Sequence, residues 1–229
     1  MSLEHYFLLF LIYSFLGWLM EVVNTLMVEG KFVNRGFLVG PYCPIYGVGA
    51  LTITILLDKY VSDAVVLFVM AVVVCCSLEY FTSYIMEKLF STRWWDYSNK
   101  KFNINGRICL ETAVIFGLLG MLIMYVLNPF FMGILSSIPY CLTQILFFIL
   151  LSLFVLDFAV SFKIIANIDK IKLEDTKDST EEVTNMVKNI LLNKSVLNRR
   201  LAKAFPHFKI SNEKIKEKLK EIKEKTNKN

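Results

Sequence analysis

The side chains here that could do chemistry are polar groups set in or against long apolar runs. They are Glu21 and Asn24, Asn34 and Arg35, Glu79, and the cluster Trp94, Trp95, Asp96, Tyr97, Asn105, Arg107 and Glu111. A charged side chain at the centre of a bilayer costs at least ~2.5–3.5 kcal/mol on insertion scales, so it faces a bundle interior or a cavity. Glu21 and Glu79 each follow a long apolar stretch and are expected to turn inward. Arginine suits two-pronged contacts with carboxylate or phosphate, which makes Arg35 and Arg107 the expected partners of buried acids. Trp94, Trp95 and Tyr97 would wall such a site, or would form an interfacial aromatic belt. Asn105-Gly106 is a turn signal, and Asp96 suits a turn cap. The plainer reading, carboxyls that only fix helix register, stays open for Glu21 and Glu79. It is stronger for Glu111 and for Asp157, a further acid near the end of the last apolar run.

Other chemistries are excluded by composition. The two histidines, His5 and His207, lie near one terminus and in the charged tail, so no histidine-ligated metal is expected within the apolar body. Cys43, Cys75, Cys76, Cys109 and Cys141 are odd in number and lack metal-ligand spacing, which argues against a disulfide framework. There is no Walker phosphate loop, no Gly-x-Ser-x-Gly elbow and no zinc-protease motif. Neither cofactor nor metal is expected, and ATP hydrolysis is not expected of this chain.

The elements that must position these groups read as membrane helices. The chain has 229 residues, 55% of them hydrophobic. Of its 25 Lys and Arg residues, 17 lie from Lys163 onward. This divides the sequence into an apolar body, 1–162, and a polar tail, 163–229. A bilayer core of about 30 Å takes about 20 apolar residues as helix. Runs near 6–28, 38–57, 64–90, 109–127 and 139–162 meet or approach that length. The fold class is therefore all-α: a polytopic membrane bundle of about five transmembrane helices with a cytoplasmic helical tail. The first run has no basic flank and no cleavage site, and reads as a retained span.

Basic residues set the orientation. Lys31, Arg35, Lys88, Arg93, Lys100, Lys101, Arg107 and the tail fall on one side, and Lys59 alone on the other. The amino terminus is thus expected outside and the tail in the cytoplasm of a multi-pass cell-membrane protein. The net charge of +5 fits this topology and contact with lipid, with no nucleic-acid footprint. In this arrangement Glu21, Glu79, Glu111 and Asp157 come to similar depth, which predicts a cytoplasm-facing polar pocket roofed by 94–107. The second run starts oddly, with Gly40, Pro41 and Pro44 disfavouring regular helix, so a broken or re-entrant start is expected there. In the tail, apolar residues from Val183 to Leu201 predict an amphipathic helix ending near Phe205-Pro206, and 211–225 a solvated Glu/Lys helix.

Several linked motifs resemble a known family. They are Gly17-Trp18-x-x-Glu21, Asn34-Arg35-Gly36-Phe37-Leu38, and Gly40-Pro41-x-x-Pro44-Ile45-Tyr46-Gly47. Trp95-Asp96-Tyr97-Ser98 and Asn103-x-Asn105-Gly106-Arg107-Ile108 complete the set. Over about 1–160 these resemble the ABC-transporter type IV permease family, the CmpB-like proteins, and are similar to the transmembrane protein 229 group. Arg199-Arg200-Leu201 with Ala204-Phe205-Pro206 is similar to the tail of bacterial members. The resemblance implies a permease subunit that works with a separate cytoplasmic ATPase. Two other functions stay open at this point. One is a membrane enzyme acting on a lipid or polyprenyl phosphate, with a buried glutamate as acid or base. The other is a structural or regulatory membrane protein without ligand. Assembly into a homo-oligomer is also left open.

Overall fold

A computed structural model describes residues 2–90, 92–166, 188–189, 196–205 and 208–210. The body is helical: α1 (Leu3–Glu29), α2 (Pro44–Leu56), α3 (Ala64–Phe90), α4 (Leu110–Leu122), α5 (Asn128–Ser137) and α6 (Tyr140–Ala166). A π-turn, Ile123–Leu127, joins α4 to α5, and α7 (Val196–Ala204) follows in the tail. Four stretches are long and apolar enough to cross a membrane: Leu3–Glu29, Ala64–Phe90, Leu110–Ser137 and Tyr140–Ile164.

Two expectations are revised. The second run is helical only over the 13 residues of α2. At 1.5 Å per residue that is about 20 Å, short of the ~30 Å core. Residues 32–35 and 42–43 carry no regular structure and 36–41 are bends. Pro41, Pro44 and Gly40 keep helix out, and Pro44 opens α2 at a position where its missing N–H costs nothing. Conversely, Asn128–Ser137, which falls between the apolar runs 109–127 and 139–162, is helix. Pro129 sits in the first turn of α5, and the π-turn just before it absorbs the bond that proline cannot make. The fourth span therefore runs on from Leu110 to Ser137.

In lipid, apolar side chains gain little by leaving one apolar medium for another, so close packing and internal hydrogen bonds hold the helices together. α1 and α2 meet through glycine. A methyl at Gly47 would collide with Ser14 Oγ and the Phe10 carbonyl, and one at Gly17 with the Tyr46 ring. Leu8, Leu9, Tyr13, Ala50 and Leu135 form one core cluster, and Ile53, Leu57, Leu67, Ala71 and Met124 a second. Between them lies a buried polar knot. Tyr13 OH donates to Asn128 Oδ1 at 2.6 Å, and Asn128 Nδ2 donates to Thr54 Oγ1 at 2.9 Å. Three helices are tied there without a charge.

The unwound stretch before α2 has its backbone satisfied from outside, as irregular backbone at membrane depth must. Asp157 of α6 accepts from Val39 N–H at 3.0 Å, Gly40 N–H at 2.7 Å, Tyr42 OH at 2.5 Å and Ser161 OH at 3.0 Å. Cys43 N–H donates to the Ser14 carbonyl at 2.8 Å. Asn34 Nδ2 donates to the Val39 carbonyl at 2.9 Å, while its Oδ1 accepts from Trp18 Nε1 at 2.7 Å.

The tail packs back on this end of the bundle. Leu201, Ala202 and Ala204 are buried, Phe205 and Phe208 pack on Trp94, and strand β1 (Thr92–Arg93) pairs antiparallel with β2 (Lys209–Ile210). α7 ends at Ala204, where the amphipathic pattern ends. The rest of that predicted helix before Val196, apart from 188–189, and the predicted helix over 211–225 lie outside the described residues.

Candidate functional site: a glutamate pair beneath Tyr97

Glu21 lies in the last third of α1 and Glu79 in the second half of α3. A tyrosine is supplied to each from a different element. Tyr46, in the first turn of α2, donates its hydroxyl to Glu21 Oε1 at 2.5 Å. Tyr97, in the loop after α3, donates to Glu79 Oε1 at 3.2 Å. Glu79 is 7% exposed, and its Oε2 has no hydrogen-bond partner. Burial pushes the Tyr97 hydroxyl well above its ordinary range, and the negative charges of Glu79 and Glu21 push it further. Of the two carboxylates only Glu79 contacts the Tyr97 hydroxyl, and Glu21 is held by Tyr46.

The guanidinium of Arg35 faces Glu21, with Nε 3.6 Å from Oε2, a charge contact without a hydrogen bond. Its Nη1 donates to the Ala204 carbonyl at the end of α7. Arg200 reaches back from α7 and donates from Nη2 to the carbonyls of Arg35 and Gly36 at 3.3 Å. Burial lowers the proton affinity of Arg200, and the charge of Asp157 partly offsets that. The tail thus sits against the arginine that balances Glu21.

Other residues expected at the site have different work. Arg107 is buried and turned to α3, donating to Ser83 Oγ at 3.0 Å and Glu87 Oε2 at 2.7 Å. It lies over the rings of Tyr80 and Tyr84 at 5.7 and 5.5 Å. Its expected partnership with Glu21 or Glu79 is replaced by Glu87, which sits on the same helix two turns beyond Glu79. Trp94 is buried against Phe90, Phe205 and Phe208, so it anchors the tail. Trp95 donates from Nε1 to the Arg107 carbonyl at 3.1 Å. Asp96 caps a turn, accepting from Ser98 N–H at 3.0 Å. Asn105, with φ of 52°, and Gly106, with φ of 65°, form the expected turn, and Asn105 Nδ2 donates to Tyr80 OH at 2.9 Å. Glu111 is exposed and pairs with Lys100 at 2.7 Å, away from the glutamate pair. Asn24 is exposed on α1, and Asn34 serves the backbone as described above.

Tyr46 was not among the expected site residues, although it lies in the Pro-Ile-Tyr-Gly motif. Its signal was a lone polar ring one helical turn inside a glycine-flanked start. Nor was Glu87 expected: it lies at a polar helix end, where a carboxylate needs no explanation. Among the described residues, no group of three or more His, Cys, Asp or Glu is placed to hold a metal. An open concavity of about 410 Å³ lies at the other end of the bundle, lined by His5, Met132, Ser136, Ile138 and Tyr140, and carries no convergent charged groups.

The motifs from Gly17 to Ile108 thus fall on one end of the bundle, where they hold the unwound segment, the glutamate pair and the loop cap together. No curated protein and no solved structure matches the chain. A family model does, over residues 8–162, which takes in the whole site apart from the tail contacts; the chain belongs to the family described as "Putative ABC-transporter type IV".

Proposed function

We propose that this chain is the membrane-spanning component of a transport system that works with a separate ATP-hydrolysing subunit. Its substrate meets the polar cluster of Glu21, Arg35, Tyr46, Glu79 and Tyr97. The observation that carries the reading is that two glutamates from two membrane helices are each held by a tyrosine hydroxyl, and that Glu79 keeps a buried oxygen without a partner. Carboxylates inside a membrane bundle are costly and mark ion or substrate paths. The family description supplies the transport context, and the sequence has no phosphate loop of its own. The basic residues of the 31–35 and 88–107 segments, against Lys59 alone at the other end, support reading the cluster as facing the cytoplasmic side of the cell membrane.

The reading as a lipid-phosphate enzyme gains no support from the arginines. Arg107 is engaged by Ser83 and Glu87, and Arg35 by Glu21 and the Ala204 carbonyl. Among the described residues, no pair of arginines is shown against the glutamates to hold a phosphate.

The test is affinity isolation of the tagged full chain from mild detergent, followed by assay of bound ATPase activity. Co-isolation of an ATP-hydrolysing partner, lost on removal of 181–229, supports the reading. The absence of any such partner in detergent and after cross-linking in membranes overturns it.

A further inference from the structure

The unpartnered oxygen of Glu79 says what kind of ligand the cluster takes. Glu79 is more than nine-tenths buried, and Oε2 is sealed from solvent. The two hydroxyls of the cluster are already spent: Tyr97 donates to Glu79 Oε1 and Tyr46 to Glu21 Oε1. A tyrosine hydroxyl has one proton to donate, so neither can serve Oε2 as well. Arg35 makes no hydrogen bond from Nε and stands 3.6 Å from Glu21. With Arg35 taken up by Glu21, Glu79 Oε2 has neither a donor nor a cation among the described residues. What is missing is one positive charge carrying a hydrogen-bond donor.

We infer that the cluster binds a small organic cation with a primary ammonium group, its N–H donating to Glu79 Oε2 and its charge balancing Glu79. A metal ion fits worse, because the described residues offer no group of three metal-ligating side chains. An ammonium needs fewer acceptors, and the rings of Tyr46 and Tyr97 suit a cation beside them. This inference rests on reading the cluster as the substrate site.

The experiment uses the full chain in nanodiscs of zwitterionic lipid, with thermal unfolding followed by intrinsic fluorescence. Propylammonium chloride is titrated, with sodium and potassium chloride at equal concentration as charge controls and propanol as a shape control. The expected result is a saturable upward shift with propylammonium alone. Its half-saturation should weaken by at least about tenfold, equivalent to 1.4 kcal/mol, in Glu79→Gln. Glu111→Gln, at an exposed carboxylate paired with Lys100 away from the cluster, should keep the wild-type response. If Glu79→Gln does not fold, the wild-type selectivity alone decides. An equal shift with sodium, potassium or propanol overturns the inference, as does no shift at all or an undiminished shift in Glu79→Gln. Failure here while an ATPase still co-isolates removes the ammonium and leaves the transport reading standing.

Discussion

Asp157→Ala tests how the unwound segment is held. In the wild type its carboxylate accepts four hydrogen bonds, three of them from Val39, Gly40 and Tyr42. Val39 N–H would keep a partner in Ser161 Oγ at 3.1 Å, but Gly40 N–H has no other acceptor among the described residues. A stranded buried donor costs about 1–3 kcal/mol, and a hydrogen bond to a charged group is worth about 1.5–3 kcal/mol. With Tyr42 half-exposed and able to reach water, the expected loss is about 2–5 kcal/mol. Asp157→Asn keeps one acceptor and should lose roughly half of that. The assay is SDS-induced unfolding from mixed micelles, followed by fluorescence, together with the rate of thiol labelling at Cys43. Cys43 is buried at the end of the segment and bonded to Ser14, so it reports local opening. An Ala variant within about 0.5 kcal/mol of wild type, with unchanged Cys43 labelling, would refute the reasoning.

Three further outcomes follow from the packing. Gly47→Ala should destabilise the α1–α2 pair by about 1–3 kcal/mol, read by the same unfolding titration, because the added methyl meets Ser14 and the Phe10 carbonyl. Trp94→Ala should release the tail, with a loss of about 3–5 kcal/mol and new proteolysis between 196 and 210, since the ring packs on Phe205 at a centroid distance of 4.8 Å. Asn128→Ala should cost about 0.6–1.7 kcal/mol, the range for hydrogen bonds between membrane helices, with unfolding in SDS as the readout.

The sequence made the membrane class and the long helices legible because lipid imposes a simple rule: about twenty apolar residues in an unbroken helix. The same rule misled where geometry intervened. The run over 38–57 looks like a span, yet two prolines and a glycine restrict its helix to α2. Asn128-Pro129 looks like a loop, yet a π-turn carries the helix through it. The acids were found by their cost in an apolar run, and each is held by a tyrosine hydroxyl, Glu21 by Tyr46 and Glu79 by Tyr97. Their partners were less legible, because charge pairing depends on which way each helix face turns. Arg107 could have served Glu79 or Glu87, and only packing against Tyr80 and Tyr84 directs it to Glu87. The role of Trp94 was hidden for a related reason. Its contacts, Phe205 and Phe208, lie more than a hundred residues away in a tail whose composition suggested a separate unit.

The central claim is that Glu21 and Glu79 face one another beneath the Tyr97 loop, and short bifunctional thiol cross-linking tests it most directly. The chain would carry Glu21→Cys with Glu79→Cys in a background lacking the five native cysteines, assayed in native membranes after an engineered cleavage in the 58–63 connection. The account predicts that the two fragments are joined for this pair and not for Glu21→Cys with Glu111→Cys, since Glu111 is exposed beside Lys100. Cross-linking to position 111 with none to position 79 would contradict it.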